Sequence, residues 1–266
     1  MFRSPGDILF SINGFDVYSY GIVMAVACLI GVYTSYFIYE KFFPEKNYGK
    51  IIDCATWILF FGIIGARLYY CMLNPVYYFS NPLEIINVRQ GGLSIHGGLI
   101  AGIITLIFFA KKYKLGISNL LDSFACGTAI AQSIGRWGNF FNSEAFGTPT
   151  NLPWKLYIPF SKRPDIYSNK EYFHPAFLYE SILDFIIFIV LFCVMKKYAR
   201  THQGLVTYLY LTLYAVVRFI IEHVRVDSAL NISGVPIAEV VSVVMFCVGI
   251  AGIIYTIKRT KIIQNR

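Results

Sequence analysis

The fold of this chain is decided by long apolar stretches such as residues 176–195, AFLYESILDFIIFIVLFCVM. A helix of about 20 apolar residues is about 30 Å long, which matches the hydrocarbon thickness of a bilayer. The sequence therefore predicts an all-α polytopic membrane protein with seven transmembrane helices. The predicted spans are Tyr18–Tyr39, Ile51–Leu73, Leu93–Ala110, Ile117–Trp137, Ala176–Met195, Leu205–His223 and Ile237–Ile257.

The composition favours the same class of protein. Hydrophobic residues make up 56% of the 266 positions and charged residues only 14%, whereas soluble domains carry about 25% charged residues. The net charge of +8 does not indicate a nucleic-acid partner, because the basic residues separate apolar runs instead of covering one face of a soluble fold. The six cysteines lie singly and form no CxxC pair, which predicts neither a disulfide framework nor a metal site.

Lysine and arginine positions predict the orientation through the positive-inside rule. Positive clusters follow the first, third, fifth and seventh spans: Lys41, Lys46 and Lys50; Lys111, Lys112 and Lys114; Lys196, Lys197 and Arg200; Lys258, Arg259, Lys261 and Arg266. The opposite segments carry Arg3, Arg89 and Arg225. We therefore expect one integral membrane domain over residues 1–266, with an extracytoplasmic N-terminus and a cytoplasmic C-terminus. The proline-rich segment 139–175 is expected to form a small extracytoplasmic cap between spans four and five.

Three arginines, Arg67, Arg136 and Arg218, lie in or at the end of apolar runs. An arginine at the bilayer centre costs at least about 2.5–3.5 kcal/mol, so each needs a partner or a wet cavity. A structural ion pair is one explanation. Arg67, near the outer end of its span, can also extend to the interface, and we interpret it as structural.

Arg218 belongs to a helical polar face. Tyr214, Arg218 and Glu222 are spaced four residues apart, which places them on one side of a helix. Arg218 and Glu222 can form a simple internal salt bridge. The same arrangement can also hold an anion, because a guanidinium can bind two phosphate oxygens at once.

The densest polar cluster is GRWGNFFNSEAFG, residues 135–147, where we expect the fourth helix to give way to the cap. A capped turn is the alternative to a binding site there. His96, followed by Gly97 and Gly98, begins the third span from the outside, and an imidazole can transfer protons near neutral pH. His174 and Tyr20 add further polar groups on the same side.

This one-sided distribution of polar groups favours an enzyme acting on an anionic phospholipid. A transporter needs a midplane site reachable from both sides, and we find no internal repeat. A membrane peptidase is a second alternative, but the sequence has no Gly-x-Ser-x-Gly site. Asp53 and Asp122 fall at inner helix ends, so they do not form an outer aspartate pair.

The pattern Gly135-Arg136-x-Gly138-Asn139-Phe140-x-Asn142-x-Glu144-x-x-Gly147 resembles the bacterial prolipoprotein diacylglyceryl transferases. The resemblance extends to Tyr20-Gly21, the Gly-Ala-Arg stretch at Arg67, His96-Gly97-Gly98, His174-Pro175 with Leu178-Tyr179-Glu180, and Tyr214, Arg218-Phe219 and Glu222. It implies seven spans in a bacterial plasma membrane. It also implies transfer of the diacylglyceryl group of phosphatidylglycerol to the lipobox cysteine of a prolipoprotein signal peptide, with formation of a thioether and release of glycerol 1-phosphate.

The resemblance also implies roles for individual residues. Arg136 and Arg218 would hold the phosphate, and His96 would either take the thiol proton or orient the lipid. The expected substrate-binding residues are Tyr20, Gly97, Gly98, Asn139, Asn142, Glu144, Gly147, His174, Tyr214 and Glu222. The expected partners are phosphatidylglycerol, the prolipoprotein and the lipid bilayer; no metal, cofactor or nucleic acid is expected.

Overall fold

The computed structural model describes residues 2–43, 49–87, 91–226, 231–232 and 235–264. Within these ranges the α-helices are α1 (Ser19–Phe42), α2 (Lys50–Leu73), α3 (Pro75–Ser80), α4 (Ile95–Tyr113), α5 (Ile117–Asn142), α6 (Ala176–Tyr198), α7 (Leu205–Glu222) and α8 (Ile237–Gln264). The strands are β1 (Phe2–Arg3), β2 (Ile8–Ile12), β3 (Phe15–Tyr18), β4 (Leu156–Tyr157), β5 (Tyr172–Phe173), β6 (Asn231–Ile232) and β7 (Val235–Pro236). Lys46, Arg89 and Arg266 of the charge pattern lie outside the described residues.

Six of these helices are long and apolar enough to cross a membrane: α1, α2, α4, α6, α7 and α8. They correspond to six of the seven predicted spans. The remaining one, Ile117–Trp137, lies in helix α5, which is 26 residues long. Polar side chains such as Asn119, Asp122, Gln132 and Arg136 interrupt its apolar sequence, and for this reason α5 is not among the six.

The chain divides into two compact units, one of residues 1–35 and 121–266 and the other of residues 36–120. In the second unit, α2 packs closely against α4 through glycines. A Cβ added at Gly65 would lie 2.7 Å from the carbonyl oxygen of Gly97, and one at Gly98 would lie 3.4 Å from the carbonyl oxygen of Gly62. Small residues that let two backbones approach are a usual basis of helix packing in membranes.

Arg67 holds the connection between α2 and α4 in this unit. Its side chain is buried, with 6% relative exposure. The guanidinium donates to the carbonyl oxygens of Glu84 (2.5 Å), Ile85 (3.0 Å), Gly91 (2.7 Å) and Gly92 (2.9 Å). The structural interpretation of Arg67 is confirmed. Its donors bind the backbone of the segment that connects the two helices, and the position of Arg67 relative to the membrane interface stays a prediction.

In the first unit, glycines bring α1 against α5. A Cβ at Gly138 would lie 2.8 Å from Tyr20 Cδ2, and one at Gly31 would lie 2.8 Å from the carbonyl oxygen of Gly127. A buried carboxylate then joins α5 to α7. Asp122 accepts hydrogen bonds from the backbone N–H groups of Gly204 (2.7 Å) and Thr207 (2.8 Å) at the start of α7, where the helix leaves N–H groups without partners.

The segment predicted as a cap contributes strands β4 and β5 to a small sheet whose apolar core also includes Phe177 of α6. Strand β4 lies between β5, which is antiparallel to it, and β1, which is parallel to it. The core consists of Ala145, Phe146, Leu156, Ile158, Phe173 and Phe177. The first residues of the predicted cap, 139–142, are the last residues of α5 in the structure. The participation of β1, from the N-terminal end of the sequence, was not predicted.

A second hairpin, β2–β3, precedes α1 and was also not predicted. Asn13 and Gly14 form its turn with positive φ values of 51° and 81°. An Asn-Gly pair between two apolar strands strongly predicts a hairpin. Asn13-Gly14 is such a pair, so this hairpin could have been predicted from the sequence.

Candidate functional site

The centre of the candidate site is Glu180 on α6, a buried carboxylate that contacts three arginines. Its Oε2 pairs with Nη1 of Arg136. Its Oε1 lies 3.5 Å from Nη1 of Arg218 and 3.6 Å from Nη1 of Arg225. The three arginines come from α5, from α7 and from the segment directly after α7, so Glu180 connects parts of the chain that are far apart in sequence.

Two further carboxylates complete this arginine–carboxylate cluster. Glu222 Oε2 lies 2.5 Å from Nη2 of Arg218 on the same helix. Asp184 Oδ2 lies 3.7 Å from Nε of Arg136. Three arginines and three carboxylates give a formal charge of zero, which fits a buried location because unpaired charges there are costly. The arginine side chains are still 15–19% exposed, so a ligand can reach them.

The predicted polar face of α7 is present in the structure. Tyr214 stacks on Tyr210 with 5.8 Å between ring centroids, and it lies within electrostatic range of Arg136 and Arg218. The Arg218–Glu222 salt bridge is real, but it is part of the larger cluster around Glu180. Arg136 lies within α5 and not at the junction with the cap, because the helix continues for six residues beyond it.

The end of α5 forms a tight polar turn around Glu144. Glu144 Oε1 accepts hydrogen bonds from Nδ2 of Asn139 (2.9 Å) and of Asn142 (3.3 Å). Ser143 and Ala145, on either side of Glu144, have φ values of 51° and 54°. This left-handed conformation costs about 1–2 kcal/mol for a residue with a Cβ. Backbone strain of this kind is common at functional sites.

Tyr20, at the start of α1, reaches the same region. Its ring packs on Gly138, and its hydroxyl lies within electrostatic range of Glu144 and Arg136. Gly147 leaves no room for a side chain, because a Cβ there would lie 2.9 Å from both His174 Cβ and the carbonyl oxygen of Val224. The structure therefore gives Gly147 a packing role, and its contact with substrate stays a prediction.

His174 lies six residues before Glu180 in sequence and contacts aromatic neighbours. Its Nδ1 lies 3.1 Å from the hydroxyl of Tyr179, and that hydroxyl accepts a hydrogen bond of 2.8 Å from Trp154 Nε1. This network joins the cap to the first turn of α6.

His96, Gly97 and Gly98 belong to the second unit, at the start of α4. The imidazole of His96 has its ring centroid 6.2 Å from that of Tyr69, and Gly97 packs against Gly65. The close approach of α2 is sufficient to require glycine at position 97. The proposed roles of His96 and of the two glycines in catalysis and binding stay predictions.

Three members of the cluster, Glu180, Asp184 and Arg225, were not among the predicted site residues, although Glu180 lies in a segment that carries the family resemblance. The four-residue spacing of Glu180 and Asp184 in an apolar helix was the available signal for a shared polar face. Arg225 was treated as a loop charge, because it follows the apolar run of α7. Its contact with Glu180 depends on tertiary packing.

Fold and site together define a multi-pass membrane protein with a buried arginine–carboxylate cluster among its helices. The sequence matches the family of prolipoprotein diacylglyceryl transferases over residues 7–255. A relative from Synechocystis sp., named phosphatidylglycerol–prolipoprotein diacylglyceryl transferase, is 41% identical over 258 residues, which cover 96% of this chain and 90% of the relative. A protein of the same name from Synechococcus elongatus is 40% identical over 265 residues, covering 97% and 91%. The chain therefore belongs to the prolipoprotein diacylglyceryl transferase family.

Proposed function

We propose that this protein transfers the diacylglyceryl group of phosphatidylglycerol to the cysteine thiol of a prolipoprotein lipobox. The observation that carries the proposal is the pair of clamp arginines, Arg136 and Arg218, which share the buried carboxylate of Glu180. Family membership and the names of the relatives support the same reaction.

The reaction explains why arginines are needed. A bond forms between the cysteine sulfur and the glyceryl carbon, and the bond from that carbon to the phosphate oxygen breaks. The electron pair of that bond leaves with glycerol 1-phosphate, so negative charge grows on the departing phosphate. Fixed cations directed at this charge lower the barrier, and a guanidinium can bind two phosphate oxygens.

The contacts of each arginine leave donors for the substrate. Among the described residues, the ion pairs of Arg136 use Nη1 and Nε, which leaves Nη2 for a phosphate oxygen. Those of Arg218 use Nη1 and Nη2, which leaves Nε available in the part of the chain that the structure describes. Because the three carboxylates already balance the three arginines, the cluster orients its donors before the lipid arrives.

The remaining polar residues would bind and orient the substrates. A thiol reacts as its thiolate, and His96 is our candidate for the group that takes its proton or orients the lipid. Tyr20, Asn139, Asn142, Glu144, His174, Tyr214 and Glu222 are proposed to position the head group or the clamp arginines.

We also propose that α5 is a seventh membrane span. Its polar side chains contact α6 and α7 through Arg136, Ser133 and Gln132, so they are shielded from lipid by protein. The N-terminus and the cap are then extracytoplasmic and the C-terminus is cytoplasmic, in a bacterial plasma membrane. In a background without native cysteines, a membrane-impermeant maleimide should label Ser168→Cys in the cap of intact cells but not Thr201→Cys after α6. The reverse labelling would contradict this orientation.

The function is tested with purified protein, phosphatidylglycerol and a lipobox peptide, by following glycerol phosphate release. We expect Arg136→Ala and Arg218→Ala to abolish release while the proteins accumulate in the membrane. Arg136→Lys should fail as well, because a point charge does not reproduce the planar fork. Arg259→Ala is the matched control, since Arg259 is exposed near the end of α8. Full activity in either clamp variant would exclude the phosphate role of that arginine.

A further inference from the structure

Asp184 is the deepest carboxylate of the arginine–carboxylate cluster. It lies eight residues into α6, about 12 Å along the helix axis, and one turn beyond Glu180 on the same face. Its relative exposure is 1%. Its Oδ2 lies 3.7 Å from Nε of Arg136, which is an ion-pair distance and too long for a hydrogen bond.

The ion pairs of the cluster follow a pattern. Glu180 contacts all three arginines, whereas Glu222 pairs with Arg218 and Asp184 pairs with Arg136. In the part of the chain that the structure describes, Asp184 forms no ion pair with another arginine. Each clamp arginine therefore has one carboxylate of its own in addition to the shared one.

We propose that Asp184 is a positioning residue that fixes the orientation of the Arg136 guanidinium for phosphate departure. The proposal rests on the proposed function of the clamp. One contact, between Nη1 and Glu180, leaves the guanidinium free to rotate about that contact. A second contact at Nε fixes its plane, so Nη2 keeps one direction when the substrate phosphate binds there.

The environment of Asp184 favours this role over a purely stabilising one. Neither of its carboxylate oxygens has a hydrogen bond among the described residues, although both are buried. A buried carboxylate without hydrogen bonds lowers the stability of the fold. Replacing buried ionic groups by apolar side chains of similar volume often leaves the stability unchanged or raises it. The groups that face Asp184 are Arg136 from α5, Glu180 from its own helix, and Tyr210 and Tyr214 from α7. Of these, Arg136 carries the positive charge that contacts the carboxylate.

The test compares Asp184→Asn with Asp122→Asn, a matched change at another buried aspartate. Asp122 caps the start of α7 through Gly204 and Thr207 and forms no ion pair with an arginine among the described residues. Full-length enzymes are assayed with phosphatidylglycerol and a lipobox peptide, and kcat and KM are determined separately per amount of folded protein.

We expect Asp184→Asn to lower kcat at least about tenfold while KM for phosphatidylglycerol changes less than about threefold, because the lost interaction acts mainly in the transition state. Asp184→Glu should recover part of kcat by restoring the charge. Asp122→Asn should lower thermal stability but keep kcat per folded enzyme.

An unchanged kcat in Asp184→Asn would overturn the proposal, and so would a loss fully explained by less folded protein. If Asp184→Asn does not fold, Asp184→Glu decides: an altered kcat with normal stability supports the role, and a wild-type kcat contradicts it. The wild-type enzyme in the same assay keeps the two proposals apart, since its inactivity would reject the proposed function itself.

Discussion

Glu180→Gln should be among the most damaging substitutions in this protein that leave side-chain volume unchanged. Glu180 is buried and contacts Arg136, Arg218 and Arg225. The substitution changes the formal charge of the cluster from zero to +1. Removing one member of a buried ion pair costs about 3–5 kcal/mol. Because the arginines keep 15–19% exposure and glutamine still accepts a hydrogen bond, we take the lower end, about 3 kcal/mol.

This free energy can be lost from folding or from the transition state. If all of it is lost from transition-state binding, transfer falls about 100-fold, since each 1.4 kcal/mol is about tenfold in rate. The measurements are the amount of folded protein in the membrane and the rate of glycerol phosphate release per folded enzyme. Asp53→Asn is the control: Asp53 forms a 2.9 Å ion pair with Lys50, but its side chain is 45% exposed, and such pairs contribute about 0–1 kcal/mol. Near wild-type rate and abundance in Glu180→Gln would refute the central place of Glu180.

Three further outcomes follow from the second unit. Arg67→Lys should lower membrane abundance and increase protease cleavage between α2 and α4, because an ammonium has three donors for four carbonyl contacts; unchanged cleavage would contradict the anchoring role. Gly65→Ala should destabilise the protein by about 1–3 kcal/mol through overpacking against Gly97. Gly49→Ala is the control and should not destabilise it, because a Cβ at Gly49 meets nothing within 4 Å. Equal thermal stability of the two variants would count against close helix packing. His96→Gln should change the dependence of the rate on pH if His96 is the base, and an identical pH–rate profile would exclude that role.

The helices were largely predictable, because apolar length is a local property. Six predicted spans correspond to helices apolar enough to cross a membrane. The predicted fourth span is a helix with more polar residues. Whether this helix can cross a membrane depends on whether other helices shield those residues from lipid, and no local sequence pattern can show that. The sheet of the cap includes strand β1 from the N-terminal end of the chain, and pairing across more than 150 residues has no local signature.

The candidate site was predictable where chemistry repeats along one helix. The face of Tyr214, Arg218 and Glu222 follows from helical spacing alone. The contact of Glu180 with Arg136 and Arg225 does not, because it depends on how separate helices pack. The sequence could show that buried arginines need partners, but the structure was needed to show which carboxylates these are.

The most direct test of the account is the stoichiometry of the reaction in the purified system. Mass spectrometry of the lipobox peptide should show the mass of one diacylglyceryl group on the cysteine for each glycerol phosphate released from phosphatidylglycerol. Both products should vanish together in Arg136→Ala and Arg218→Ala and persist in Arg259→Ala. Peptide modification that continues without either clamp arginine, or folded wild-type enzyme that produces neither product, would contradict the account.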